Sequence, residues 1–452
     1  ISFPTNRCVE HNYYLSICIE RESRCIPKRF FILGALFSSW SKQKMRFTEV
    51  FRSIDWKGFA PALVVVLNTF VWYTLTYNTF SNTITALSIQ TSLKLALFSL
   101  YILGTVGSAV VGAVFLKCRR ETSLLLWMLM GAIMTAMLTT ISDSNMVLNA
   151  SISFFLGVSL GIGFPSCLAY FAEATTVETR GTRGGVTWGL VGIVIGIGTV
   201  IGAVSAVSLS VSSTFLTLAC WRAFGFISLY LITKLGRFQQ SLGSYAYTSV
   251  FRRREVLLYL IPWIMVSLVN FIEAPIVQNL LGNLANFMSL VEFSLIGLFA
   301  LLGGILADLV GRKRVIISGF IMLGIGYAVL SFSPDASLFQ YIYTFCDGIA
   351  WGMFSSVFLI TLWGDLAQDR KKEKYYLIGG LPFLLSGFLS ILVQPYVGSI
   401  SPTESFSLAS FFLFSAVLPL IYAPETLPEK RVIEIELKDY LEKAQKVRDK
   451  YS

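Results

Sequence analysis

Gly304-Ile305-Leu306-Ala307-Asp308-Leu309-Val310-Gly311-Arg312-Lys313-Arg314 closes one long apolar run and leads through a short basic turn into the next. A worn copy, Gly112-Ala113-Val114-Phe115-Leu116-Lys117-Cys118-Arg119-Arg120, stands 192 residues earlier. Two further pairs keep that offset: Glu173 and Asp365, which each close an apolar run, and Arg180 and Lys372 just beyond them. A glycine-led loop, an acid and a base at one spacing indicate a chain built twice from one pattern. The polar segment 236–254, with Arg252, Arg253 and Arg254, is then the linker between two copies.

Apolar residues make up 55% of the 452-residue chain and charged residues only 14%, too little polar surface for a soluble protein of this length. Runs of about 20 apolar residues, each able to cross a ~30 Å hydrocarbon core as a helix, explain the excess. Lipid tolerates no unpaired backbone groups, so the spans must be helical. The runs fall at 59–80, 93–116, 122–142, 147–172, 184–206, 214–235, 255–280, 287–310, 314–333, 338–366, 376–397 and 404–423. The expected fold is therefore all-α and polytopic, with twelve transmembrane helices in two pseudo-symmetric six-helix bundles. Its parts are a tail (1–58), a first bundle (59–235), the linker (236–254), a second bundle (255–423) and an amphipathic tail (424–452).

The net charge of +10 invites a nucleic-acid reading, but its distribution points to a membrane. Every Lys and Arg except Lys94 and Arg222 lies in a tail, in the linker or in alternate loops, all on one side. That is the positive-inside pattern of an even number of spans with both termini in the cytoplasm. Nucleic acid is not expected as a partner; the lipid bilayer is. Residues 30–40 are too short to span and read as a surface-lying or disordered segment rather than a signal peptide. The chain opens on Ile1, so a truncated or misassigned start is expected. Cys8, Cys18 and Cys25 fall in the cytoplasmic tail, where thiols stay reduced. With His11 the only histidine and no CxxC, no metal site or cofactor is expected. No nucleotide-binding loop or nucleophile constellation stands in the sequence, so it does not read as an enzyme.

The motif Gly304-xxx-Asp308-xx-Gly311-Arg312-Lys313 resembles the signature loop of the major facilitator superfamily, which follows the second and eighth spans. The first copy departs from it, with Leu116 in place of the acid and Arg119 in place of the second glycine. Tyr170-Phe171-Ala172-Glu173 with Arg180-Gly181 is similar to the family's fourth-span ending, and Ala423-Pro424-Glu425-Thr426 to the ending of its sugar and organic-ion porters. The resemblance implies a secondary transporter working by alternating access, probed at three places. Gly304, Asp308, Gly311, Arg312 and Lys313 would form a gate, with Asp308 approaching the next half near Gly184 and Gly185. Arg312 and Lys313 would pair with Glu173 or Glu178. Glu173, Arg180, Asp365, Arg370 and Glu425 would make a cytoplasmic charge network.

Ionisable residues inside spans are costly and mark function or a hidden partner. Asp347 lies roughly 14 Å from the outer end of its run at 1.5 Å per residue. Tyr343, Trp351, Phe354 and Phe358 share its helical face. A desolvated carboxyl there could exchange a proton, or could be satisfied structurally. Glu273, with Asn270 one turn earlier, stands nearer the outside, as does Glu292. Thr69, Tyr73, Thr76 and Tyr77 stripe the first span, with Asn68 and Trp72 adjacent, and suit a polar solute or a helix–helix contact. Arg222, after Trp221, reads either as an anion ligand or as the outer end of a shorter sixth span, the second being favoured. The acid that sugar–proton symporters carry in the first span is missing. Glycines crowd the fourth and fifth spans: Gly157, Gly161, Gly163, Gly192, Gly196, Gly198 and Gly202. Ile433, Leu437, Tyr440, Leu441 and Ala444 recur at helical spacing in the last tail.

The expected function is proton-coupled uptake of a small organic solute by a monomer, with Asp347, Glu273, Asn270, Trp351, Tyr73, Thr76, Tyr77 and Asn68 lining the path. Proton-driven efflux of amphipathic compounds and a non-transporting sensor or scaffold of the same fold remain open.

Overall fold

A computed structural model describes residues 55–115, 120–204, 210–235, 253–367 and 372–428, with isolated positions of the last tail. Residues 1–54 of the N-terminal tail, most of the linker, Leu116, Arg119 and Arg370 lie outside the described residues. So does most of the last tail, of which Ile433, Leu437 and Tyr440 are helical and exposed.

The described residues fold as α1 (Trp56–Ala86), α2 (Thr91–Phe115), α3 (Arg120–Met137), α4 (Met146–Gly161 and Phe164–Glu173), α5 (Arg180–Val204) and α6 (Val211–Leu235). Then come α7 (Arg254–Leu281), α8 (Ala285–Val310), α9 (Arg312–Phe332), α10 (Ser337–Ala367), α11 (Lys372–Val393) and α12 (Pro402–Ser415, continued by Val417–Tyr422). Eleven helices among the described residues are long and apolar enough to cross a membrane, and α5 is 25 residues long. The chain is an all-α, multi-pass membrane protein.

Local chemistry sets several boundaries. Asp55 caps α1, accepting from the Lys57 N–H at 3.2 Å, and Asn145 caps α4, accepting from the Leu148 N–H at 3.0 Å. Helix α4 breaks at Ile162–Gly163 and restarts with Pro165 in its first turn. The Trp127 ring occupies the space beside Gly163, where a Cβ would come within 2.1 Å of it. Trp127 Nε1 then donates to the Ser159 carbonyl at 2.6 Å, which the break leaves without its helical partner. Helix α10 carries a π-helical stretch over Ser355–Thr361.

Within the first six helices α2 packs on α4, α3 on α6 and α1 on α6; within the second six α8 packs on α10 and α9 on α10 and α12. Two seams join the sets, α5 against α8 and α2 against α11. Exchanging each helix for its counterpart six places on turns one seam into the other, and likewise turns the α4–α11 contact into α5–α10. The α5–α8 seam is built on glycine: a Cβ on Gly304 would lie 2.2 Å from the Gly181 carbonyl, and one on Gly192 would lie 2.6 Å from Gly297 Cα. Small residues let these backbones touch. Gly157 and Gly161 serve α4 the same way against Tyr101 and Thr105 of α2, whereas Gly198 meets open space.

Candidate functional site

Start at the end of the molecule where the basic loops gather. Asp308, at the foot of α8, accepts N–H groups of Gly181 (3.1 Å) and Thr182 (2.6 Å) at the first turn of α5. This is a carboxylate on the positive end of a helix. The contact falls a turn earlier than Gly184 and Gly185 because α5 begins at Arg180. Asp365 closes α10 and accepts from two guanidiniums, Arg180 of α5 and Arg312 of α9, the latter at 3.2 Å. All three are buried. Arg312 also pairs with Asp308 and donates to the Val177 carbonyl at 2.6 Å. The expected pairing of Arg312 or Lys313 with Glu173 or Glu178 is not what forms. Asp308 and Asp365 lie nearer to Arg312, and Lys313 donates instead to the Ile421 and Ala423 carbonyls, each at 2.8 Å.

Glu173 is taken by Arg120, which reaches at the same time to Glu373 at the start of α11. The worn first loop thus still ties the two helix sets together, through a residue that sequence reasoning passed over. The only signal was a basic residue kept at the loop's end when its acid was lost. Glu425 has an equally local role. Its carboxylate accepts the Arg312 and Lys313 N–H groups at 2.8 and 3.2 Å and so caps α9. Gly311 stands before that cap at φ +104°, where a Cβ would come within 2.4 Å of Glu425 Oε2. The Pro-Glu-Thr ending and the signature loop are one structural unit.

Deeper in, the line between the helix sets is aromatic. Tyr73 of α1 stacks on Tyr77 (centroids 6.2 Å) and meets Phe383 of α11 at 5.7 Å. Tyr77 OH donates to the Gly387 carbonyl of α11 at 3.3 Å. Trp351 of α10 donates to Asn270 of α7 at 2.9 Å, and its ring lies against Trp263, which stacks on Phe358. Thr76 is buried with its hydroxyl unpaired. Asn68 faces elsewhere: it donates to the Trp221 carbonyl at 2.7 Å and accepts from Arg222 at 2.9 Å, inside the first helix set.

The second set encloses the acids. Glu273 is buried and accepts Ser405 Oγ of α12 at 2.8 and 2.9 Å. Asp347 is buried with Oδ1 unpaired, and half-buried Glu292 on α8 lies within electrostatic reach of it. Two carboxylates side by side in a buried site repel, and one proton between them relieves the repulsion. Gly348 brings α10 close enough for this, since a Cβ there would lie 2.5 Å from Leu295 of α8. Tyr343 donates to Tyr327 at 3.3 Å, and Tyr327 lies within electrostatic reach of Asp347, Glu273 and Glu292. Glu292 therefore stands with these acids, although its place near the end of a span hid this.

Among the described residues no group of His, Cys, Asp and Glu is arranged to hold a metal ion. No family model matches the chain, and no curated protein sequence matches it. Solved structures do. The E. coli fucose:proton symporter FucP, as a point variant, superposes with a TM-score of 0.59 at 11% identity, over 81% of this chain and 98% of that one. The proton:xylose symporter XylE, bound to 6-bromo-6-deoxy-D-glucose, gives 0.60 at 14% identity, over 82% of this chain and 96% of that one. The class is a helical multi-pass membrane protein of two six-helix sets. Its fold is that of the major facilitator superfamily.

Proposed function

We propose that the protein is a secondary transporter that carries a small organic solute by alternating access, in the mode of proton-coupled uptake. The basic end is taken as cytoplasmic, from the positive-inside pattern. The observation that carries this reading is the latch at that end. Asp308 on the α5 amides, Asp365 between Arg180 and Arg312, and Arg120 between Glu173 and Glu373 all join one helix set to the other. Contacts made wholly of exchangeable polar groups hold one state and part together in another.

The proton's place is the Asp347–Glu292 pair, with Glu273 and the tyrosines beside it. Losing the shared proton leaves two like charges in a buried site, which couples protonation to rearrangement. Tyr73, Tyr77, Trp351 and Asn270 offer hydroxyl, ring and amide contacts to a polar solute passing between the sets. Sugars are the first class to assay, because both structural neighbours are sugar symporters. No observation favours efflux or a non-transporting sensor in particular.

The test is uptake into proteoliposomes under an inward proton gradient, with labelled sugars, organic acids and amino acids. Gradient-driven accumulation should be lost in Asp347→Asn, while exchange of the same solute across the membrane persists. Full accumulation by Asp347→Asn would refute the proton's assignment; no transport of any solute would refute the transporter reading.

A further inference from the structure

Arg222 takes no part in that scheme. It lies in the interior of α6, which runs unbroken from Val211 to Leu235, so it does not mark the end of a shorter span. The side chain is fully buried. Its guanidinium lies over two indole rings, 4.3 Å from the Trp72 ring centroid and 4.3 Å from that of Trp127. At one corner Nη1 donates to Asn68 Oδ1 and Thr69 Oγ1, both at 2.9 Å. Nε and Nη2 find no acceptor among the described residues. The titratable group facing it is the Cys167 thiol, and no carboxylate pairs with it among the described residues.

Those two nitrogens form the edge of a guanidinium whose N–H groups run parallel, the geometry that grips a carboxylate with both oxygens. Indole faces attract the cation but accept neither of these N–H groups. A buried charge without a counter-ion is strongly disfavoured, so an anion brought to this edge would be held firmly. Gly131 of α3 keeps the edge uncrowded, since a Cβ there would come within 3.1 Å of both Nε and the Trp72 ring.

We propose that Arg222, clamped by Trp72 and Trp127, is a binding site for a small monovalent anion, received by Nε and Nη2. The anion is the carboxylate of a small organic molecule or a free halide. This stands apart from the transport reading, because binding is measured without transport.

The experiment uses the full chain in detergent, in chloride-free sulfate buffer, titrated separately with chloride, formate and acetate. Tryptophan fluorescence reports from Trp72 and Trp127, and the melting temperature gives a second readout. A saturable signal with a rise in melting temperature is expected. It should be lost in Arg222→Gln and weakened about tenfold or more in Arg222→Lys, which keeps the charge but not the fork. Saturation by chloride assigns a free halide; saturation by formate or acetate with chloride silent assigns an organic carboxylate. No saturable response to any of the three, or an equal response in Arg222→Gln, overturns the proposal. Should Arg222→Gln fail to fold, Gly131→Ala decides: it should weaken the response, and an unchanged affinity overturns the site.

Discussion

At the scale of single residues, Asp365 meets two guanidiniums at the basic end. It is buried between Arg180 of one helix set and Arg312 of the other. Asp365→Asn leaves two guanidiniums facing each other without their shared anion and should cost about 3 kcal/mol or more of stability. Thermal unfolding in detergent checks this; a melting temperature equal to wild type would contradict it. Gly311 is a different case, because its constraint is steric. Gly311→Ala forces a side chain into a φ of +104° and against Glu425, and should cost about 1–3 kcal/mol. In the same melt, Gly311→Ala in a Glu425→Ala background should recover part of the loss, since the clash goes but the strain stays. Arg180 and Asp365 were legible in the sequence because their pairs repeat at a fixed offset, and Asp308 because its loop resembles a known signature. The Glu425 cap was not, since 113 residues separate it from Arg312 and no periodicity spans that gap.

At the scale of elements, the α5–α8 seam sorts glycines that look alike in sequence. A Cβ on Gly185 would stand 2.6 Å from the Ala300 carbonyl, whereas one on Gly189 would stand 3.4 Å from that of Gly297. Gly185→Val should therefore wedge the seam and lower the melting temperature, while Gly189→Ala should be close to neutral. Equal effects from the two would show that backbone contact does not set this seam. Apolar runs and their ends were readable because lipid imposes length and composition on each helix. The path of each face was not. Asn68 sits on the same helix as Tyr73 and Tyr77 yet turns to Trp221 and Arg222 inside its own set. Arg222 itself read as a boundary, because an arginine in mid-membrane needs neighbours such as Trp72 and Trp127 that lie in other helices.

At the scale of the whole molecule, charge is divided unevenly between the halves. The first encloses a guanidinium without a carboxylate, and the second encloses Glu273, Glu292 and Asp347. Under the proposed mechanism such a division would keep the proton's site inside one set while the sets rock against each other at the two seams. The duplication was visible as the 192-residue offset, but the pairing of α2 with α11 and α5 with α8 required the fold. Alternating access is the central claim, and it demands that the latch open. Spin labels at Glu178 and Arg314, both exposed and on opposite sides of it, read this directly in lipid nanodiscs. The wild type should give one short distance, and Asp308→Asn should add a second population several ångströms longer. A single unchanged distance in both, with or without a proton gradient or a transported solute, would contradict the account.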